Sequence, residues 1–287
     1  MINYRYFKNN NTLFRIHVEQ DTDATSPREE DYNLGTMVCW NRNYSLGDKH
    51  NFAFPEDFLN RLVIDNIKES TIINFIKNKK ASNGLELRYD RKEKTWELWG
   101  YYYWSLLGEK RNPKFGVIER NNPINFLIDD IIEAMSFEDK WKLLERHAGI
   151  VFLPLFLYDH GGITMNTTGF SCPWDSGQVG YIYTTKDKIL KEVGHYQENG
   201  KWVKAKTNWK KAAYAVLKDE VKTYDMYLKN EVYGYVVDKY VSESDEWDED
   251  IESCWGFYSD NFGDDLVEEI AREYTDDTLY DTEDCVA

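Results

Sequence analysis

The chain lacks most of the signatures that tie a sequence to a chemistry. Its four cysteines stand far apart, at Cys39, Cys172, Cys254 and Cys285. None forms a CxxC pair and no Cys/His cluster has zinc spacing, so a zinc fold is not indicated and reduced thiols are expected. There is no run of 18 apolar residues. The longest, Ile150 to Tyr158, contains Pro154 and is too short to span a bilayer. The opening MINYRYFKNNN has no apolar centre of the kind a secretion signal needs, so a cytoplasmic protein with no membrane partner is expected. GxSxG, HExxH, Walker and GxGxxG patterns are all missing, and no cofactor is expected.

What the chain does have is apolar mass and an uneven charge. Hydrophobic residues make up 42% and aromatics 16%, too much for a disordered chain and enough, over 287 residues, for a substantial core. The formal net charge is −16. Residues 243–287 hold 18 acidic side chains against one basic, Arg272, while the other 242 residues are close to neutral. A charge gathered at one end repels nucleic acid and anionic lipid, so direct nucleic-acid binding is not expected.

Periodicity predicts an α+β fold: a mixed or antiparallel sheet, several packed helices and an acidic C-terminal hairpin–helix segment. Strands are expected at 12–19, 34–40, 151–157 and 179–184, with a hairpin over 85–100. Helices are expected from Pro55, over 71–79, from Pro123, over 137–146 behind a Ser136/Asp139 capping box, and over 209–229 behind Asn208. Strands at 231–240 and 251–258 are expected to flank an acidic loop, followed by a helix over 262–274. The organisation expected is a main domain over 1–200, with a plausible break near Asn199-Gly200, an acidic segment over 201–275 and a tail over 276–287.

Three segments could carry chemistry. The loops over 158–180 gather Asp159, His160, Thr164, Cys172, Asp175, Ser176 and Gln178 after a buried strand. A thiol near an imidazole and a carboxylate can be nucleophile, base and orienting group, which makes His160, Cys172 and Asp175 catalytic candidates. Asp159, His160 and Asp175 are candidate metal ligands. The competing reading is ordinary turn chemistry, with glycines permitting tight turns. The second segment, 20–31, has Asp21 and Asp23 at calcium-loop spacing but lacks the glycine and closing glutamate of an EF-hand, which favours a solvated loop. The third is the acidic end. Asp245, Glu246, Asp248, Glu249, Asp250, Asp264, Asp265 and Glu268 are interleaved with aromatics including Trp247 and Trp255. Carboxylates on a rigid frame can imitate phosphates and occupy a basic groove, and a solubilising surface is the alternative.

The stretches Asn33-Leu-Gly-Thr-Met-Val-Cys-Trp40 through Leu46-Gly-Asp48, Tyr158-Asp-His-Gly-Gly-Ile-Thr-Met165 and Cys172-Pro-Trp-Asp-Ser-Gly-Gln-Val-Gly-Tyr-Ile-Tyr183, with a weaker one over 220–235, resemble a family of phage, plasmid and bacterial proteins with no assigned activity. The chain departs from that pattern at Asn41 and Asn43, where basic residues or histidine are usual, and at Gly161, where serine is common. The resemblance implies a phage or mobile-element context. Proteins of that context without catalytic motifs often bind host machinery, and inhibitors of bacterial defence such as anti-CRISPR and anti-Gabija proteins are one class. The expected function is therefore an interaction protein that binds and inhibits a host defence complex. Its partner would be a basic nucleic-acid-binding or nuclease complex, met through the acidic end. The alternative is an enzyme or a small-ligand or metal binder built on the 158–180 loops. The aromatic content is also compatible with a homo-oligomer.

Overall fold

A computed structural model describes residues 4–9, 12–102, 105–106, 109–110, 114–259, 267 and 269–272. In chain order its elements begin with β1 (Arg5–Asn9), β2 (Thr12–Gln20), β3 (Thr36–Cys39), α1 (Pro55–Asn66) and α2 (Glu69–Lys77). Next come β4 (Glu86–Asp90), β5 (Thr95–Tyr102), β6 (Ser105–Leu106), β7 (Glu109–Lys110), β8 (Lys114–Asn121), α3 (Ile128–Ala134) and α4 (Phe137–Leu143). The chain continues through β9 (Ile150–Asp159), β10 (Ile163–Asn166), β11 (Ser176–Thr185), α5 (Lys186–Glu192), β12 (His195–Glu198) and β13 (Lys201–Lys204). It ends on α6 (Trp209–Leu228), β14 (Val232–Val241) and β15 (Glu246–Tyr258), and 267 and 269–272 are helical. The fold is α+β with antiparallel sheets.

The chain divides into two compact units, neither continuous in sequence. One comprises 1–35, 154–179 and 216–287, and the other 36–153 and 180–215. Three of the four divisions fall inside β9, β11 and α6, and the fourth falls just before β3.

In the first unit, β1, β2, β14 and β15 form an antiparallel sheet in that order. β14 lies between two neighbours, and Val232 through Asp238 are all buried. Such a strand reads as a continuous apolar run, as VYGYVV does. Phe7, Ile16, Tyr235 and Val237 pack with Val267 and Ile270 in one cluster. Burying a side chain of this size stabilises by roughly 1.5–3 kcal/mol.

In the second unit, β4, β5 and β8 form an antiparallel sheet, and β3 pairs with β11. The main core joins Phe58, Leu59 and Val63 of α1, Ile72 and Ile76 of α2, Ile131 and Ile132 of α3, and Leu98 and Phe152 from strands. Local signals set the helix ends. Pro55 occupies the first turn of α1, with Glu56 and Asp57 beside the positive end of the dipole. The Ser136 hydroxyl accepts the Asp139 N–H at 3.2 Å and caps α4. The buried Asp139 carboxylate in turn accepts Ser82 N–H and Oγ–H at 2.7 and 2.9 Å. After α4, the segment Leu144–Ala148 widens into a π turn, which Gly149 closes in the left-handed conformation at φ 63°.

Several expectations need correction. The acidic stretch after β14 is mostly strand: Glu246 through Asp250 belong to β15, and only residues 242–245 turn. Aspartate and glutamate disfavour strands intrinsically, but pairing with the buried β14 outweighs that preference. The segment after Pro123 is a 3-10 turn, Ile124–Leu127, before α3 starts. β1, β8, β10 and the β12–β13 hairpin lie where no strand was expected. Asn199 and Gly200, read as a break, are the two-residue turn of that hairpin, both with positive φ. The final helix is described only at 267 and 269–272. The expected tail over 276–287 and the candidates Asp264, Asp265 and Glu268 lie outside the described residues.

Candidate functional site

The acidic face is built on β15, the outer strand of its sheet among the described residues. Glu246, Asp248, Glu249, Asp250 and Glu252 place five carboxylates in seven consecutive residues, and all five are exposed. Two irregularities shape the strand. Lys239 pairs with Asp248 and Val237 with Glu252, so three residues of β15 oppose the single Asp238, and Asp250 takes a left-handed φ of 53° to fit. Near the other end Tyr235 pairs with Cys254 and Tyr233 with Phe257, leaving two residues opposite Gly234. A Cβ at Gly234 would lie 2.2 Å from the Trp255 ring, so only glycine lets that indole rest on the strand.

The irregular segment is pinned from beneath. Arg15 of β2 donates from Nε to Asp238 Oδ2 at 2.6 Å and from Nη2 to Glu249 Oε1 at 3.3 Å. Asp238, 2% exposed, accepts the Asp250 N–H on its other oxygen at 2.9 Å. The guanidinium also lies 4.4 Å from the ring centroids of both Tyr4 and Trp247. Trp247 is therefore half-buried as part of this clamp, and Asp245 sits in the turn accepting a hydrogen bond from the Tyr240 hydroxyl. The clamp neutralises Asp238 and touches Glu249, while Glu246, Asp248 and Asp250 extend beyond it. At the end of the strand, burial and the neighbouring Tyr32 and Glu30 push the Tyr258 hydroxyl up to about 12.

The 158–180 loops are organised differently. The Asp175 carboxylate stands between the other two catalytic candidates: Cys172 Sγ is 3.4 Å from its Oδ2 and His160 Nδ1 is 3.6 Å from the same atom. The order is thiol, carboxylate, imidazole. A thiol nucleophile needs the imidazole in the middle. His160 is 72% exposed, and the main chain closes on itself through Asp159 N–H to Asp175 O, His160 N–H to Gly162 O and the Ser176 hydroxyl to Cys172 O. Among the described residues no group of three His, Cys, Asp or Glu side chains could hold a metal ion, so Asp159, His160 and Asp175 do not assemble as ligands. Trp174 projects from the loop at 91% exposure.

Three anchors escaped the sequence reading. Asp225 of α6 accepts Thr164 Oγ–H and Met165 N–H, both at 2.6 Å, and so fixes β10. Glu220, also on α6, accepts Arg28 at 2.8 Å and the N–H groups of Leu34 and Gly35 at 2.7 and 2.9 Å. The 20–31 segment is thereby held as structure. Its Asp21 accepts the Asp23 N–H in a local turn rather than presenting a calcium loop. The third anchor is Arg15. Each partner is contributed from far along the chain, so no local spacing marks these residues.

Among the described residues no helix is long and apolar enough to cross a membrane. Compared with known proteins, the chain matches no family model, no curated protein and no solved structure.

Proposed function

We propose that this chain is an interaction protein of phage or mobile-element origin that binds and inhibits a host defence complex, such as a nuclease, through its acidic edge strand. The observation that carries the reading is the charge density of β15 on a clamped frame. A strand rises about 3.3 Å per residue, and one strand of DNA carries about one charge per 3.4 Å of axis. Five carboxylates in seven residues therefore approach the line charge of a nucleic-acid strand. Because the Arg15 clamp fixes the backbone beneath them, little ordering entropy is lost when a basic groove closes over these groups. Trp255, at 43% exposure beside the charges, supplies the aromatic anchor that protein interfaces favour. The partner is a basic nucleic-acid-binding protein in the host cytoplasm, and its groove is the one that nucleic acid would occupy.

The same charges have a second effect. Carboxylates and bulges on an outer strand keep it from pairing with a second copy. That device accounts for solubility but does not require Trp255 to lie exposed on a glycine. The test is expression of the chain in bacteria carrying defined nuclease-based defence systems, followed by phage plating. Restored plating in at least one system, lost when Glu246, Asp248 and Asp250 are replaced by their amides, is the expected result. Unchanged plating across the panel would contradict the proposal.

A second reading rests on the convergence of Cys172, Asp175 and His160 beside the exposed Trp174. An enzyme or ligand binder at these loops would lose function in His160→Ala or Cys172→Ala while keeping its fold.

A further inference from the structure

The second unit contains a groove of about 510 Å³ where α2 meets the end of α4 and the π turn, within the size range of small-molecule sites. Its apolar wall includes Phe75 and Leu143. Its rim carries Lys80, Lys142, Arg146 and His147 against a single carboxylate, Glu145. That carboxylate is already engaged by Lys210 at 2.6 Å, and Lys142 by Glu138 at 2.7 Å. Lys80 and Arg146 have no carboxylate at ion-pair distance among the described residues. The acidic residues 243–287 lie in the other unit, so the unneutralised rim of this groove is cationic. Glu145, Arg146 and His147 of the π turn line it, and such turns occur frequently at functional sites. Asn74 and Asn78 add amide groups along the same wall, with the Asn78 Nδ2–H donated to Asn74 O and its amide oxygen left as an acceptor.

We infer that this groove binds a small organic phosphate, with Lys80 and Arg146 on the phosphate and Phe75 against the body of the molecule. Arginine matches a phosphate with paired donors and lysine supplies a point charge. The site belongs to the second unit and does not depend on the acidic strand of the first.

Calorimetric titration of the full chain with AMP, ribose 5-phosphate and inorganic phosphate tests the inference. AMP is expected to bind at one site per chain and more tightly than inorganic phosphate. Its Kd should rise at least tenfold in Arg146→Ala and in Lys80→Ala, and should not move in Lys92→Ala, an exposed control outside the groove lining. All three positions are exposed, so circular dichroism should show unaltered folding. Failure of all three probes to bind saturably, or wild-type affinity in both rim variants, would overturn the site. Equal affinity for AMP and inorganic phosphate would overturn the role given to the apolar wall.

Discussion

The outer strand β15 and the 158–180 loops are both rich in polar side chains, yet they use them in opposite ways. In the loops, polar groups meet one another: Asp175 takes contacts from both Cys172 and His160, and Asp225 receives β10. On β15 the carboxylates exceed the cations near them, and the partly buried Arg15 fixes the backbone while leaving Glu246, Asp248 and Asp250 outward. Density of reactive residue types is thus a poor guide to a site. The better guide is whether the fold leaves their hydrogen-bonding and charge unspent.

The comparison can be broken most forcefully at its clamp. Arg15→Ala leaves Asp238 buried without its cation and frees the irregular segment of β15. A stability loss of about 3 kcal/mol is expected in urea unfolding. A loss under about 1 kcal/mol would mean that the acidic strand is not held from beneath. Asp225→Ala strands a hydroxyl and an N–H of β10, and about 2 kcal/mol of destabilisation is expected by the same measurement. His160→Ala should change stability by less than about 0.5 kcal/mol because the ring is solvated, with the fold intact by near-ultraviolet circular dichroism. A much larger change would show that the loop depends on this imidazole.

The smallest effect is a pH dependence. Tyr258 keeps its proton up to about 12 in the fold, against about 10 in an unfolded chain. Its contribution to stability is therefore fully present below pH about 10 and is lost as pH rises through about 12. Burial also raises Tyr183, Tyr196, Tyr214 and Tyr233, so phenolate absorbance should show a late-titrating group of tyrosines that Tyr258→Phe reduces by one.

Local patterns made much of the fold legible. The alternation around Phe14, Ile16 and Val18, the hairpin over 85–100, the Ser136 cap and the long α6 all follow from residue period and capping chemistry. The four-residue β10 and the isolated-looking β8 did not stand out because neither is long enough or regular enough to announce a period. Asn199-Gly200 was a turn signal in plain view, since both residues tolerate positive φ, but its place ahead of the long helix suggested a break. For the candidate site, the convergence of Cys172, Asp175 and His160 was legible, whereas the order of their contacts was not. The clamp of Arg15 on Asp238 spans 223 residues of sequence and depends on the β2–β14 register, which no local window contains.

The most direct test of the account is capture of host proteins by the tagged chain at low and moderate salt, alongside a variant with Glu246, Asp248 and Asp250 changed to Gln, Asn and Asn. The account predicts a stoichiometric basic nucleic-acid-binding partner on the wild-type chain, released as salt rises and at least tenfold weaker on the folded variant. A partner held equally by both proteins, or no partner from any host, would contradict it.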